Sequence, residues 1–490
     1  MHTWLLLPIL LPIAAGGFLL LRPGKSCGMR RNYIASVVTL NTIFVLFIVS
    51  LGDIEIRTLQ ITPDTINLYL KLDDLARFFL ILASGIWILV TFYSFEYMKN
   101  DKKESVFFAF FLITYGVILG ACLAGNFFTL YLFYELMTLF TYPLVVQNGS
   151  PEAMKAGTKY LMYSFFGAAL TLIAFVFVAN FGITTDFVAG GVLDPAIISG
   201  NEGALLFIFL LAFMGFGCKA YIWPLFEWVP ASYPIAPSPA AALLSGVVSK
   251  VAVLAIIRTT FYLFGVDFLS GSWVQTVLIC ITLLTVFLGS MLAYKEKLFK
   301  KRLAYSSVSQ LSYVLFGIVL LNPIAFLGAM LHVLFHAIIK VVLFLSAGAV
   351  ISQTGKRYVH ELRGIGKAMP VTMWCFTIAA VSLVGIPPTI GFVSKWFLAI
   401  GGIESNHPSL GIVGAGILLI SALLTGGYLI TIFANAFFPG SKFNYETLEK
   451  REPGKGMTIP LVILASLCLL LGIFPGMIMA FIDGISALLF

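Results

Sequence analysis

Charge is what this sequence has least of. Asp, Glu, Lys and Arg make up 11% of its 490 residues, where ordinary soluble domains carry about 25%. So little charge excludes a conventional water-facing surface, and with it the soluble enzyme classes. Clustered cysteine is absent too. Cys27, Cys122, Cys218, Cys280, Cys375 and Cys468 stand singly, with no C-x-x-C pair to begin an iron–sulfur or zinc site. They read as small buried residues of helices. There is no nucleotide-binding loop and no flavin motif, so no cofactor, no metal and no redox centre of the chain's own is expected. The net charge of +8 falls in short loops and not on a basic domain, which argues against nucleic acid. The apolar start lacks a basic leader, so it reads as a first membrane span and not a signal peptide.

What is there is apolar: 60% of the residues, 45 of them Phe. A helix crossing the hydrocarbon core needs about 20 such residues. Fourteen segments qualify, numbered here as spans 1 to 14: 3–21, 32–51, 75–95, 106–124, 127–147, 160–182, 204–223, 238–262, 273–294, 303–321, 324–351, 369–400, 410–437 and 458–481. They are too long for barrel strands, which take about 9–11 residues each. The reading is therefore an all-α membrane protein, residues 1–490 forming one polytopic domain in contact with lipid. Charge supports the count. The loops after spans 1, 3, 5, 9, 11 and 13 hold 22 of the 30 basic residues, including Lys25, Lys295, Lys300, Lys301, Arg302 and Lys442. The opposite side, loops and span ends together, has Arg57, Lys71, Arg77 and Arg258 among acids such as Asp53, Asp64, Asp73 and Asp186. By the positive-inside rule both termini lie outside the cytoplasm of a prokaryotic cell membrane.

Two spans look broken. Span 7 runs into KAYIWPLFEWVP with Pro224, and span 12 contains LVGIPPTIGF with Pro387 and Pro388. Proline inside a helix removes a hydrogen bond and clashes with the preceding turn. In a membrane such breaks persist only where protein or a wet cavity satisfies the freed backbone. Breaks five spans apart suggest two inverted five-helix repeats, spans 4–8 (106–262) and spans 9–13 (273–437), because a unit of five crossings is copied upside down.

After the loops are assigned, four lysines remain inside spans: Lys219, Lys250, Lys340 and Lys395. A charge at mid-membrane costs roughly 2.5–3.5 kcal/mol on insertion scales, so such residues are usually functional. Glu135 is the isolated acid of FTLYLFYELMTLF and must protonate or find a cation, either to tune a lysine or as half of a structural ion pair. Lys219 sits one turn before the first break. Burial disfavours an ammonium and a nearby carboxylate favours it, so such a pair is switchable by distance. Lys250 follows a run of small residues, some twelve residues into span 8 and beyond snorkelling reach. His332, His336 and Lys340 repeat at i, i+4, i+8 and share one helix face. That pattern suits a proton relay, a structural polar seam or, least well, a metal site. Lys395 follows the second break; it reads as an outer terminus of the relay, with snorkelling as the alternative. Ser245, Ser249, Tyr305, Ser306, Ser307, Ser309, Gln310, Ser312 and Tyr313 offer hydroxyl and amide groups for bridging waters.

The segments LYLFYELMTL, GCKAYIWPLFEWVPASYPIAPSPAAALLSGVVSK, KRLAYSSVSQLSYVLFG, HVLFHAIIKVVLFLSAG and GIPPTIGFVSKW resemble the antiporter-like subunits of respiratory complex I, Mrp-type cation/proton antiporters and membrane-bound hydrogenases. The resemblance implies fourteen helices, two inverted repeats and a hydrated charged axis. It implies Glu135 and Lys219 as a switch on helices 5 and 7, Lys250 as the central lysine, His332, His336 and Lys340 as the polar residues of helix 11, and Lys395 as the terminal group. The pair of lysines at 250 and 395 is most similar to the D-type Mrp protein and its hydrogenase counterparts. The lateral helix of the largest complex I antiporter-like protein is not expected.

The expected function is a proton-translocating subunit, with or without cation antiport, inside a complex whose other membrane subunits supply the driving force. Those partners are expected to include further antiporter-like or small subunits. The alternatives are a stand-alone secondary transporter and a membrane component of an inorganic-carbon uptake complex. A purely structural scaffold is the third class.

Overall fold

The computed structural model describes residues 3–22, 26–62, 66–440, 443–444 and 449–490. Lys25, Asp64 and Lys442 of the charge pattern lie outside the described residues. Among the described residues eleven helices are long and apolar enough to cross a membrane. They are spans 1–6, 8, 9, 11, 13 and 14. The other three candidates fall short for two local reasons. Span 7 is helical only over Glu202–Gly217, and span 12 is divided into Pro370–Val384 and Ile390–Ile403. Span 10, Phe299–Val319, is long enough but opens on Lys300, Lys301 and Arg302 and carries four serines on a buried face.

Both breaks contain prolines, and the preceding helices end at Gly217 and Val384. After Gly217 the chain leaves the helix through Lys219 and Pro224 and resumes at Trp228–Ser232. Tyr221 takes a left-handed φ of 65°, a conformation unusual for a bulky residue. The freed backbone groups find protein partners. Trp228 Nε1 donates to the Cys218 carbonyl at 3.0 Å, Tyr134 Oη to the Phe216 carbonyl at 3.2 Å, and Thr285 Oγ1 accepts from the Trp223 amide at 3.1 Å. In span 12, Gly385 ends the first half at φ 92°, where a side chain would be strained.

Spans 8 and 11 form the centre. Span 8, Ser238–Phe264, is buried throughout its apolar stretch. It carries two π-helical segments, Leu244–Val248 and Arg258–Phe264, which flank the α-helical turns holding Lys250. Span 11, Pro323–Thr354, packs against both halves of span 12 and against spans 10 and 14. Spans 1, 2, 13 and 14 are one-third to two-fifths buried and form the periphery.

Several expectations are corrected by the tertiary structure. An antiparallel hairpin, β1 (Ile54–Thr62) with β2 (Ile66–Leu72), joins spans 2 and 3, a region to which the all-helical reading assigns no structure. Its alternation is short and one-sided, with β2 packed inward and β1 mostly exposed. Span 14 ends at Ile473, and a separate helix follows at Gly476–Ser486, after the break at Pro475. Three basic residues assigned to the loops and span ends are buried. Arg258 is 1% exposed, Lys300 6% and Arg302 8%. Arg258 holds Asp73 with two bonds of 2.6 and 2.7 Å, an acid 185 residues earlier in the chain. Asp73 also caps the helix of span 3 by accepting from the Ala76 amide at 2.9 Å. This pair ties the start of span 3 to the far end of span 8.

Candidate functional site

Lys219 stands at the first helix break and is 1% exposed. Its ammonium meets three acceptors of span 5: the Tyr134 carbonyl at 3.2 Å, the Thr138 hydroxyl, and Glu135 Oε1 at 3.9 Å. It also sits 3.7 Å from the centre of the Tyr134 ring. The hydrogen bonds thus go to Thr138 and the backbone, while the carboxylate is held at ion-pair distance. Glu135 is 20% exposed, and its Oε1 is buried without a hydrogen-bond partner among the described residues. The two groups are neighbours without being bonded.

Lys250 lies at the molecular centre. It donates to the Ser245 carbonyl at 2.6 Å, lies 3.3 Å from Ser249 Oγ, and stands 3.0 Å from His336 Nδ1. The Ser245 carbonyl is available because the π-helical turn displaces it from the regular i→i+4 ladder. His336 stacks on His332 with centroids 5.8 Å apart and planes within 3°. His332 Nδ1 lies 2.8 Å from the hydroxyl of Ser394, and its ring stacks on Tyr313 at 5.5 Å. Both histidine Nε2 atoms are buried without a partner among the described residues. A polar line therefore runs from Lys250 through two imidazoles to Ser394, whose chain neighbour is Lys395.

Lys340 departs from the expected line. The i, i+4, i+8 spacing places it on the face of the histidines. Its ammonium turns instead to span 10, where it donates to the Leu303 carbonyl at 3.0 Å and to Ser306. It is a side branch and not the third member of the histidine stack. Lys395, expected as an outer terminus of the relay, turns inward at the second break. It donates to the carbonyls of Leu383 and Val384 at 2.6 and 3.0 Å, the last turn before the second break, and lies 5.2 Å from the Tyr313 ring. A cation at a helix C-terminus satisfies orphan carbonyls and the local dipole together. The snorkelling alternative does not describe this geometry.

The hydroxyls divide. Ser245 bonds Ser307 at 2.9 Å, and Ser309 joins Ser290 at 2.8 Å and Ser421 at 3.1 Å, knitting spans 8, 9, 10 and 13. Both polar atoms of Gln310 and the Ser312 hydroxyl have no partner among the described residues. No group of three or more His, Cys, Asp or Glu fit to hold a metal occurs among them either. Two residues of the site escape a reading of the sequence: Thr138 and Ser394. Thr138 lies three residues beyond Glu135 and Ser394 adjoins Lys395, so adjacency to a buried ionisable residue is the signal that could find those two.

A helical membrane protein with two broken spans and a buried line of lysine and histidine belongs to the ion-translocating class of fold. Residues 124–423 match the family described as NADH:quinone oxidoreductase/Mrp antiporter, transmembrane, and residues 59–108 match the N-terminal region of complex I chain 5. The chain is a member of this antiporter-like family. It is 30% identical over 424 residues to the N subunit of the NADH-quinone oxidoreductase of Desulforudis audaxviator, covering 84% of this chain and 83% of that one. It is 29% identical over 478 residues to the D subunit of the Na(+)/H(+) antiporter of Alkalihalophilus pseudofirmus, covering 96% and 94%. Its fold superposes on a chain of the Mrp complex from Dietzia sp. with a TM-score of 0.85, at 20% identity over 100% of this chain and 97% of that one.

Proposed function

We propose that this chain moves protons along its buried Lys/His/Glu line as one subunit of a larger membrane complex. The observation that carries the reading is the direct contact of Lys250 with His336 and the stacking of His336 on His332. An amine 3.0 Å from an imidazole nitrogen is at proton-transfer distance. Imidazole can receive a proton on one nitrogen and release it from the other, which suits the unpartnered Nε2 atoms. Ser394 and Lys395 continue the line to the second break. Glu135 and Lys219 stand at the other end, where a 3.9 Å separation is sensitive to small movements of span 5 against span 7.

The line holds many basic groups and one acid, so sodium, which needs oxygen ligands, is poorly served by it. The driving force comes from partner subunits or from another ion gradient. Glu135 is part-exposed, which suits a response to a neighbouring protein. We further propose that spans 4–8 and 9–13 are inverted repeats, with Lys219 and Lys395 at corresponding breaks, and that both termini lie outside a prokaryotic cytoplasm. Lys250→Ala in the assembled complex tests the function. Proton uptake into inverted vesicles should be lost while the complex remains assembled. Undiminished uptake refutes the relay and favours a scaffold.

A further inference from the structure

Span 6 is longer than a membrane requires, and its excess carries lysines. The helix covers Pro151–Phe181, 31 residues, or about 46 Å at 1.5 Å per residue, against a hydrocarbon core of about 30 Å. Its apolar stretch begins at Tyr160, so the turns from Pro151 to Lys159 rise through the headgroup layer on the basic-loop side. Lys155 and Lys159 stand there, one turn apart on one face. They line two adjoining hollows. The first, of about 660 Å³, lies against the link after the span 7 break and the start of span 10, and is also lined by Glu152, Glu227, Lys301 and Tyr305. The second, of about 460 Å³, lies on span 6 itself and extends to Met162 and Tyr163.

The three lysines are loosely engaged. Lys159 pairs with Glu227 at 2.8 Å and Lys301 with Glu296 at 2.9 Å, and both lysines are more than a third exposed. Part-exposed pairs of this kind are weak, so another anion competes with them. Lys155 is exposed and has no ion pair among the described residues. Lys159 and Lys301 each lie 5.8 Å from a tyrosine ring one turn deeper, Tyr163 and Tyr305. Tyrosine at this level marks the membrane–water interface. Deeper still the outward face of span 6 is apolar, with Met162, Phe165 and Phe166 at 67%, 50% and 53% exposure. Three lysines against two glutamates leave the first hollow one cation in excess. A single phosphodiester cancels that excess. The complementary ligand has one negative head at the level of the lysines and long apolar chains below it.

We propose that these hollows hold one anionic phospholipid of the basic-side leaflet, of the phosphatidylglycerol class. Its phosphate lies among Lys155, Lys159 and Lys301, and its acyl chains run along Met162, Phe165 and Phe166. Basic pockets between membrane helices suit such heads. The glutamates at the rim favour a head that also donates hydrogen bonds, as glycerol hydroxyls do. Thr158 offers a further acceptor, since its hydroxyl proton is already given to the Met154 carbonyl at 2.9 Å. A zwitterionic head brings no net charge and leaves the extra cation uncompensated. Lipid binding here is independent of the relay, because it does not require that protons move.

The test uses the full chain in its complex, delipidated in detergent and titrated with phosphatidylglycerol under native mass spectrometry. Lys155→Gln with Lys159→Gln should weaken one binding event by about thirtyfold, at roughly fivefold per lysine. Both side chains are at the surface, and the same spectra report whether the complex stays assembled. Lys102→Gln removes an exposed cation elsewhere on the basic side and should leave that event unchanged. A phosphatidylglycerol with a diazirine on one acyl chain should crosslink to the segment from Met162 to Phe166, and the double variant should lose the crosslink. Unchanged binding in the double variant overturns the proposal, as does equal binding of phosphatidylethanolamine. Competition by millimolar glycerol phosphate as effective as that by the lipid marks a site for a soluble anion and overturns it too. No crosslink in the wild-type complex means that another subunit covers this face of span 6, and the lipid assignment is then wrong.

Discussion

Glu135 and Lys219 face each other without a hydrogen bond, so their coupling is electrostatic. At their separation of 3.9 Å, the attraction is about 1 kcal/mol in water and about 4 kcal/mol at an effective dielectric of 20. Lys219 is buried and Glu135 is one-fifth exposed, so the coupling falls between these values. A tenfold change in rate corresponds to about 1.4 kcal/mol, so losing the pair should slow translocation by roughly 5- to 1,000-fold. The perturbations are Glu135→Gln, Lys219→Met and the double variant, and the assay is the initial rate of proton uptake by inverted vesicles at matched complex content. If the two residues act as one switch, the double variant should be no slower than the slower single variant. Thr138→Val serves as a control on the neutral contact and should have the smaller effect. Multiplying losses would mean that the residues act independently, and the switch reasoning would be refuted.

Other outcomes follow from particular contacts. Arg258→Met leaves Asp73, 16% exposed, without its cation and should destabilise the fold by up to about 3–5 kcal/mol, whereas Arg258→Met with Asp73→Leu should recover much of it; thermal unfolding in detergent measures both. Gly391→Ala would drive a methyl into the Ser382 carbonyl, so the two halves of span 12 must separate. Overpacking of this kind costs typically about 1–3 kcal/mol, and transport should fall as Lys395 loses its carbonyl partners. Arg57 and Asp186 pair beside the hairpin, at 36% and 20% exposure. Removing that pair should change stability by less than about 1 kcal/mol and leave transport intact. Ser394→Ala removes the hydroxyl 2.8 Å from His332 Nδ1 and should slow translocation more than Ser352→Ala, which lies near the span 11 terminus.

Much of this architecture is legible in the sequence because its causes are local. A run of apolar residues long enough to span hydrocarbon must be a helix, whatever its neighbours, since no water remains to satisfy an open backbone. Proline disfavours a continuing helix, and Pro224, Pro387 and Pro388 stand within the two breaks, after helices that end at Gly217 and Val384, while Pro12, Pro143 and Pro460 are accommodated inside unbroken helices. Likewise a charge inside such a run is conspicuous from its cost alone, which singles out Glu135 and the four lysines. The β hairpin is not legible in the same way. Its strands are short, polar on one face and defined by pairing with each other, so their signal is not contained in either segment.

Partner choice was decided only by the tertiary structure. Helical periodicity puts Lys340 on the histidine face, but a lysine side chain is long enough to reach either neighbour, and its ammonium bonds the Leu303 carbonyl and Ser306 hydroxyl of span 10. Lys395 follows a helix break, and the unsatisfied carbonyls of Leu383 and Val384 turned it inward. Arg258 and Lys300 read as loop cations because their sequence neighbours are polar or terminal; packing against Asp73 and the Ala236 carbonyl buried them. The sequence by itself determined that ionisable groups lie within the membrane and on which spans. Which of them touch, and hence which line a proton can follow, depends on contacts between segments up to hundreds of residues apart, and those exist only once the helices have packed.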